Sequence, residues 1–358
     1  MSQLTISAPG RICLFGDHQD YLGLPVIACA INRQVVLSGE KNNERIFHII
    51  MPDIASERRI DISETFEILE SQDYFASAIR VVRRYGCIPS MGYTVTLKSN
   101  IPINAGVSSS SAIVVAWVHF LLKVFGCDHP VTPPFIAQLA YEAEVVEHHS
   151  PGGRMDQYTS SIGNIIYIDT AKDDAFQTIG TSMEGLILAE SGIPKQTLGL
   201  LSHLRGYATN AIETVSKKVP GFNIAQAKLE DYNELKAHLS EELQPYFYAA
   251  IKNHSITQEA IVAFKNKPLE HERIGHLMSA HHQVLKDVLK ITVPRIDAMI
   301  EAALAAGAYG AKIVGSGGGG SIAALAPPTK KLEVINAILE SGAKDAYEVQ
   351  VTQGTQSN

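Results

Sequence analysis

Apolar and polar positions along the chain predict helices and strands in both halves. Residues 26–38 and 93–98 are rich in β-branched side chains and predict strands. Residues 110–125 are apolar on all sides and free of proline, which predicts a buried helix. A second helix is expected over 133–146, stopped by His149-Ser150-Pro151-Gly152-Gly153, with a strand over 162–168. Farther on, 294–306 places Ile296, Met299, Ile300, Ala303 and Leu304 on one helical face, with Pro294 at its start and Gly307 just past its end. A short strand at 311–314, a glycine run at 315–320 and an apolar strand at 322–325 follow. This mixture is α+β. At 358 residues the chain exceeds what one core organises, so two domains are expected. A division near residues 173–180 gives 1–178 and 179–358.

Composition narrows the partners. With 46% hydrophobic and 19% charged residues the chain should fold throughout. A net charge of −7 without a basic run disfavours nucleic acid and anionic membrane surfaces. Cys13, Cys29, Cys87 and Cys127 show no CxxC pair, unlike a disulfide framework or zinc site, and read as reduced thiols. The opening MSQLTISAPGR lacks a secretory pattern. The apolar stretch at 112–122 falls short of the ~20 residues of a membrane span. A soluble, cytoplasmic protein is expected, and no repeat of fixed period interrupts that picture.

Four segments carry candidate chemistry. Pro102-Ile103-Asn104-Ala105-Gly106-Val107-Ser108-Ser109-Ser110-Ser111-Ala112 is a small-residue loop feeding the buried helix. Glycine admits close approach of an anion, the helix amino terminus offers unsatisfied N–H groups, and serine hydroxyls can bond oxygens or a metal. One serine could merely cap the helix, at ~1 kcal/mol; four in a row exceed that need. The Gly-Lys-Ser/Thr ending of a Walker loop is missing. Glu144 and Asp156 are the second feature, the latter directly behind Gly152-Gly153-Arg154-Met155. Most carboxylates only face solvent, but one behind a glycine pair in a small, apolar setting can act as a general base or electrostatic stabiliser. In Ala8-Pro9-Gly10-Arg11-Ile12-Cys13-Leu14-Phe15-Gly16-Asp17-His18-Gln19-Asp20-Tyr21, an apolar strand breaks into polar groups suited to the hydroxyls of a polyol. The glycine run beginning at Gly315-Ser316-Gly317-Gly318 is costly in folding entropy, which favours a close backbone or ligand approach over a plain hairpin.

Taken in this order, the segments resemble the signature motifs of the GHMP kinases, the superfamily of galactokinase, homoserine kinase, mevalonate kinase and phosphomevalonate kinase. PGRICLFGDHQDYLGL is similar to the galactokinase segment PGRVNLIGEHTDYNGG, and Gly152 to Gln157 stands where galactokinases carry CGIMDQ. Leu277-Met278-Ser279-Ala280-His281-His282, with Leu285, Asp287, Pro294, Ile296 and Asp297, resembles the galactokinase stretch LMxxSHxSLRDDYxVSxPELD. The resemblance implies a two-lobed fold, with an amino-terminal domain like ribosomal protein S5 domain 2 and a ferredoxin-like carboxy-terminal domain. It implies ATP- and Mg²⁺-dependent phosphorylation of the anomeric hydroxyl of galactose or a related sugar. Asp156 would act on that hydroxyl and Arg11 orient or neutralise it. Asp17, His18, Asp20 and Gly153 would bind the sugar. Gly106, Ser108, Ser109, Ser110 and Ser111 would cradle the phosphates, with Gly315, Gly317 and Gly318 supporting the loop and Ser110 and Glu144 holding Mg²⁺.

Departures gather on the sugar side: Asp17 replaces the usual Glu, Gln19 the usual Thr, and Leu22-Gly23-Leu24 the usual Asn-Gly-Gly. Ser111 stands where alanine is usual. Arg154 replaces an apolar residue, which opens a reading with a uronate as acceptor. Other hexoses, mevalonate, or a non-catalytic sugar and nucleotide sensor remain alternatives.

Overall fold

The computed structural model describes residues 3–172, 175–195 and 198–358. The first half of the chain runs through β1 (Leu4–Phe15), β2 (Val26–Lys41), β3 (Ile46–Met51), β4 (Ser56–Asp61), α1 (Tyr74–Arg83), β5 (Tyr93–Ser99), α2 (Ser109–Phe125), α3 (Pro133–Tyr141), α4 (Met155–Ile162), β6 (Ile165–Ile168) and β7 (Phe176–Gly180). The rest comprises β8 (Leu186–Glu190), α5 (Leu198–Lys218), α6 (Tyr232–Leu235), α7 (Gln244–Lys265), α8 (His271–Gln283), α9 (Pro294–Ala305), β9 (Gly310–Val314), β10 (Ser321–Leu325), α10 (Lys331–Glu340), β11 (Asp345–Glu348) and β12 (Gln356–Ser357).

Two sheets organise these elements. The larger runs β12-β1-β2-β5-β3-β4, with β6 and β7 branching from β2. Strand β2 is long enough to serve two neighbours, pairing with β6 over 26–29 and with β5 over 35–41. Helix α2 packs in the core of this lobe with Trp117, Phe120 and Leu121 fully buried. Burial of each such side chain contributes about 1.5–3 kcal/mol, and the indole N–H of Trp117 donates to the Phe75 carbonyl at 3.2 Å. Helix α3 continues through a widened turn at Glu142–Val146, the position of Glu144. The strand expected over 162–168 starts only at Ile165, because the residues from Met155 form α4.

The smaller sheet is antiparallel in the order β11-β8-β10-β9. Its fourth strand lies beside the first and its third beside the second, the split arrangement of a ferredoxin-like unit. Helices α9 and α10 cover it, Ile296, Met299, Ile300 and Ala303 packing with Ile187, Ile313 and Ile322. Leu304, expected on the same stripe, is 40% exposed; it sits roughly 90° round the helix from the centre of the buried face.

The division expected after residue 178 falls inside β7, which pairs with β6 in the larger sheet. Residues 173 and 174, where the expected linker begins, lie outside the described residues. The chain crosses between sheets at 181–185 and returns after β11, where β12 becomes the edge strand beside β1. Pairing between residues 350 positions apart leaves no local trace, so periodicity placed the border a few residues early and missed the return. Among the described residues no helix is long and apolar enough to cross a membrane.

Candidate active site

The serine run opens α2 in an unexpected way. Ser108 occupies the N-cap position in a left-handed conformation (φ 59°, ψ 47°), yet its side chain caps nothing. Its hydroxyl instead donates to Asp156 Oδ2 at 2.7 Å. A left-handed non-glycine residue costs about 1–2 kcal/mol, so a local strain accompanies the alignment of this bond. Expected among the phosphate ligands, Ser108 is engaged with the Asp156 carboxylate. The first-turn amides of α2 consequently lack a side-chain acceptor, which leaves them as an anion site at the positive end of the helix. Ser110 is exposed, Ser109 half-buried and Ser111 buried.

Asp156 sits in the first turn of α4 and receives a second donor, Arg11 Nε, on Oδ1 at 2.7 Å. Arg11 also donates from Nη1 to the Gly106 carbonyl at 2.6 Å, joining β1, the phosphate loop and α4. Burial pushes the Asp156 carboxyl up, but Arg11 and the Ser108 hydroxyl outweigh it and hold its pKa below the ordinary value. Asp156 is therefore ionised at neutral pH, with lone pairs left over for a substrate hydroxyl.

The polar cluster after β1 divides into two directions. Asp17 is buried; Oδ2 accepts from Lys312 Nζ at 2.6 Å and Oδ1 from the Gly315 amide at 3.0 Å. It touches the cavity wall, but both oxygens already have partners from the second lobe, which alters the role expected for it in sugar binding. His281 in α8 stacks on Phe15 with centroids 6.3 Å apart and lies 4.0 Å from Asp17, so the galactokinase-like stretch of α8 packs beneath this motif. Gln19 also faces inward, donating to the Ala250 carbonyl and accepting from Thr257 on α7. Its replacement of Thr does not reach the sugar side.

His18 and Asp20 do line the cavity. His18 has φ 63° and a buried Nε2 without a partner, while Nδ1 lies 3.2 Å from the Tyr21 hydroxyl. Burial holds its pKa down to about 4, so the ring is neutral and can bond a hydroxyl. Asp20 moves the other way: burial, then the like charge of Asp156, raises its pKa to about 6. Gly153 permits this placement, since a Cβ there would lie 2.3 Å from Asp20 Oδ2.

Between the lobes these residues enclose a cavity of about 300 Å³, with Ser110, Glu144, Gln157 and Lys195 on its other walls. Glu144 is buried and accepts from Gln157 Nε2 at 2.7 Å. Burial raises its pKa against the hydrogen bonds of Gln157, Ser111 and Ser110, with Asp156 adding like charge. Gln157 Oε1, beside it, is buried without a partner. A carboxylate destabilised by burial, a hydroxyl and a free amide oxygen fit a hydrated Mg²⁺, which takes one or two carboxylates and otherwise phosphate oxygens and water.

The glycine run closes over the phosphate loop. Gly106 and Gly315 both have φ 84°; a Cβ on Gly106 would lie 2.6 Å from the Val314 carbonyl, and one on Gly315 3.0 Å from the Gly106 carbonyl. Such contact of backbone on backbone needs glycine on both sides. The Gly318 amide donates to the Ile291 carbonyl at 2.7 Å, and a Cβ at Gly317 would strike the same residue. Arg154 lies outside the cavity wall, with its guanidinium over the rings of Tyr141 and Tyr158 and donating to the Lys172 carbonyl. That position removes the geometric basis for a uronate held by Arg154.

Sequence reasoning missed Lys195 and Lys312. Lys312 could have been noticed as a charge inside an apolar strand, where burial demands a partner. Lys195 follows a short breaker, Ser191-Gly192-Ile193-Pro194, and carries no pattern of its own.

Comparison with known proteins decides the family. The domain described as GHMP kinases N terminal matches residues 73–164, GHMP kinases C terminal matches 260–344, and the galactokinase galactose-binding signature matches 2–41. Galactokinase of Haemophilus influenzae is 30% identical over 92% of this chain and 87% of its own. The chain belongs to the GHMP kinase family. This GHMP kinase is also 28% identical to mevalonate kinase of Thermococcus gammatolerans, over 94% of the chain and 92% of that protein. In fold it matches Lactococcus lactis galactokinase, solved with galactose, with a TM-score of 0.88 at 20% identity, covering 99% of this chain and 95% of that one. Mevalonate kinase of Methanococcus jannaschii gives 0.72 at 20% identity, covering 98% and 99%. The kinase is of the galactokinase-like branch, a phosphotransferase with an alcohol acceptor and ATP as donor.

Proposed function

We propose that the kinase transfers the γ-phosphoryl group of Mg·ATP to the anomeric hydroxyl of galactose or a closely related neutral hexose. The observation that carries this reading is the convergence of Asp156, His18 and Asp20 on the cavity that the first turn of α2 enters, with His18 and Asp20 lying inside the segment 2–41 that matches the galactose-binding signature. His18, Asp20 and the backbone at Gly153 would hold the sugar hydroxyls. The acceptor O1–H donates to Asp156, whose carboxylate Arg11 and Ser108 hold in place. As the O1–P bond forms and the bond from γ-phosphorus to the β,γ-bridging oxygen breaks, the proton passes to Asp156 and ADP leaves. With its pKa held low, Asp156 takes that proton only as charge leaves O1, so positioning and electrostatics carry most of the catalysis.

Ser110 and Glu144 would hold Mg²⁺. When bound, the ion would neutralise charge on the phosphate oxygens. The α2 amides and the loop from Gly106 would support the phosphates, braced by Gly315. A cytoplasmic location suits an ATP consumer with four free cysteines, three of them buried.

The test is ADP release with Mg·ATP across galactose, other hexoses, pentoses, uronic acids, mevalonate and homoserine, with Asp156→Asn as control. Selective turnover of one neutral hexose, lost in the variant, is expected. Turnover of mevalonate without any sugar would overturn the proposal, and full activity in Asp156→Asn would remove the role given to that residue.

A further inference from the structure

Two cations line the cavity, and their situations differ. Arg11 is engaged by Asp156 and by the Gly106 carbonyl. Lys195 is mostly buried, yet its ammonium takes part in none of the hydrogen bonds or ion pairs found among the described residues. Its backbone is fixed from two sides. The Lys195 amide donates to the Asn104 carbonyl of the phosphate loop at 3.2 Å, while the Gly320 amide donates to the Ile193 carbonyl at 2.8 Å and the Ser191 amide to the Gly320 carbonyl at 2.9 Å. The segment is thus tied to both loops that enclose the phosphate site. A half-desolvated charge without a partner is unfavourable in the empty protein and becomes favourable when an anion arrives.

The position along the cavity selects which phosphate. Burial lowers the Lys195 pKa, and the carboxylate acting most strongly against that is Asp156, ahead of Glu144. Lys195 lines the same cavity as Asp156, and its amide is bonded to Asn104, two residues before the Gly106 whose carbonyl holds Arg11 against Asp156, which places Lys195 toward the acceptor end. The phosphorus under attack must lie next to the oxygen that gives its proton to Asp156, and that phosphorus is the γ atom.

We infer that Lys195 is the second lobe's contact to the γ-phosphate, binding its oxygens and stabilising the charge that shifts during transfer. This rests on the kinase reading above. It divides the labour between cations: Arg11 orients Asp156, and Lys195 neutralises the transferred group. Because Lys195 reaches the site from the opposite lobe, a nucleotide triphosphate bridges the two lobes where a diphosphate does not.

Calorimetric titration of wild type, Lys195→Met and Lys195→Gln with the imido analogue of ATP and with ADP, without acceptor, tests this. Both variants should bind the analogue at least tenfold more weakly and ADP within about twofold of wild type, with kcat down about 10²–10³-fold on the active acceptor. Thermal midpoints should stay level or rise, because an unpartnered charge is removed. Equal weakening of analogue and ADP, unchanged binding of both, or a lowered midpoint with kcat retained would each overturn the inference. If wild type phosphorylates none of the acceptors, the proposed function fails, while the ratio of analogue to ADP affinity still decides the role of Lys195.

Discussion

Lys312 and Asp17 form an ion pair between the lobes, 2.6 Å from Nζ to Oδ2, with side chains 0% and 1% exposed. The ammonium also donates to the carbonyls of Cys13 at 3.0 Å and Ile313 at 2.7 Å, so all three of its protons are used. Burial pushes the Asp17 carboxyl up, but the Lys312 ammonium, through its charge and its hydrogen bond, pulls the pKa down to about 2. Removing one partner leaves a buried charge, so Lys312→Met should cost about 3–5 kcal/mol in urea unfolding. Asp17→Asn combined with Lys312→Met should cost less than Lys312→Met alone. The sign with pH follows from the lowered folded pKa: the stabilisation is present above about pH 4 and is lost as pH falls toward 2. An acid limb of equal size in the double variant would show that other groups set it.

Asp20 predicts a pH dependence of sugar binding as well. With a pKa of about 6 in the unliganded protein, it is ionised at pH 8 and largely neutral at pH 5. Sugar affinity should weaken as pH falls through 6, approaching tenfold per pH unit if the ionised form alone binds. Asp20→Asn should bind weakly and without this dependence. Stability moves in the other sense. A folded pKa above the unfolded one disfavours the fold as pH rises from about 4 to 6, so Asp20→Asn should raise the melting temperature at pH 8. Affinity that stays level from pH 8 to 5 would place Asp20 outside the sugar contacts.

Gly153 separates sugar binding from chemistry. The Cβ of Gly153→Ala would come 2.3 Å from Asp20 Oδ2, displacing that carboxylate while leaving the bonds of Arg11 and Ser108 to Asp156. The expected result is a sugar KM raised about tenfold or more with kcat changed by less than about threefold. A fall in kcat with KM unchanged would point to damage at Asp156 instead.

Ser108 distinguishes two readings of the serine run. If its hydroxyl orients Asp156, Ser108→Ala should lower kcat about tenfold, as expected from losing one hydrogen bond to a charged group, with the KM for ATP unaffected. Had Ser108 been a phosphate ligand, the KM for ATP would rise. Steady-state kinetics with ATP varied at saturating acceptor separates these outcomes.

The parts of the site that were legible in the sequence are those where physics restricts residue type over several adjacent positions. Gly106 and Gly315 lie where two backbones meet, and the apolar run of α2 must be buried on every side, so each leaves a pattern. The long helices α5 and α7 did not. In α7 the buried set includes Asn253, His254 and Thr257, and polar residues in the core blur the apolar stripe that periodicity detects. Gln19 looked like part of the sugar site because its chain neighbours line the cavity, although its side chain bonds α7. Asp17 was read by its neighbours in the same way. Its partner Lys312 is 295 residues away, and no local pattern couples them. Ser108 was ambiguous for another reason, since capping and catalytic roles demand the same residue type at the same place, and the φ angle decides between them.

The edge strand β12 sets an order of events during synthesis. β1 leaves the ribosome well before its edge partner, since Ser357 and Gln356, which pair with Ile6 and Ser7, follow some 350 residues later. At 5–20 residues per second that delay is roughly 20–70 s. Throughout it the first lobe carries an open edge beside β1, where foreign strands can pair. The nascent chain therefore does not finish one lobe and then begin the next. The larger sheet is complete only after the whole second lobe has been made.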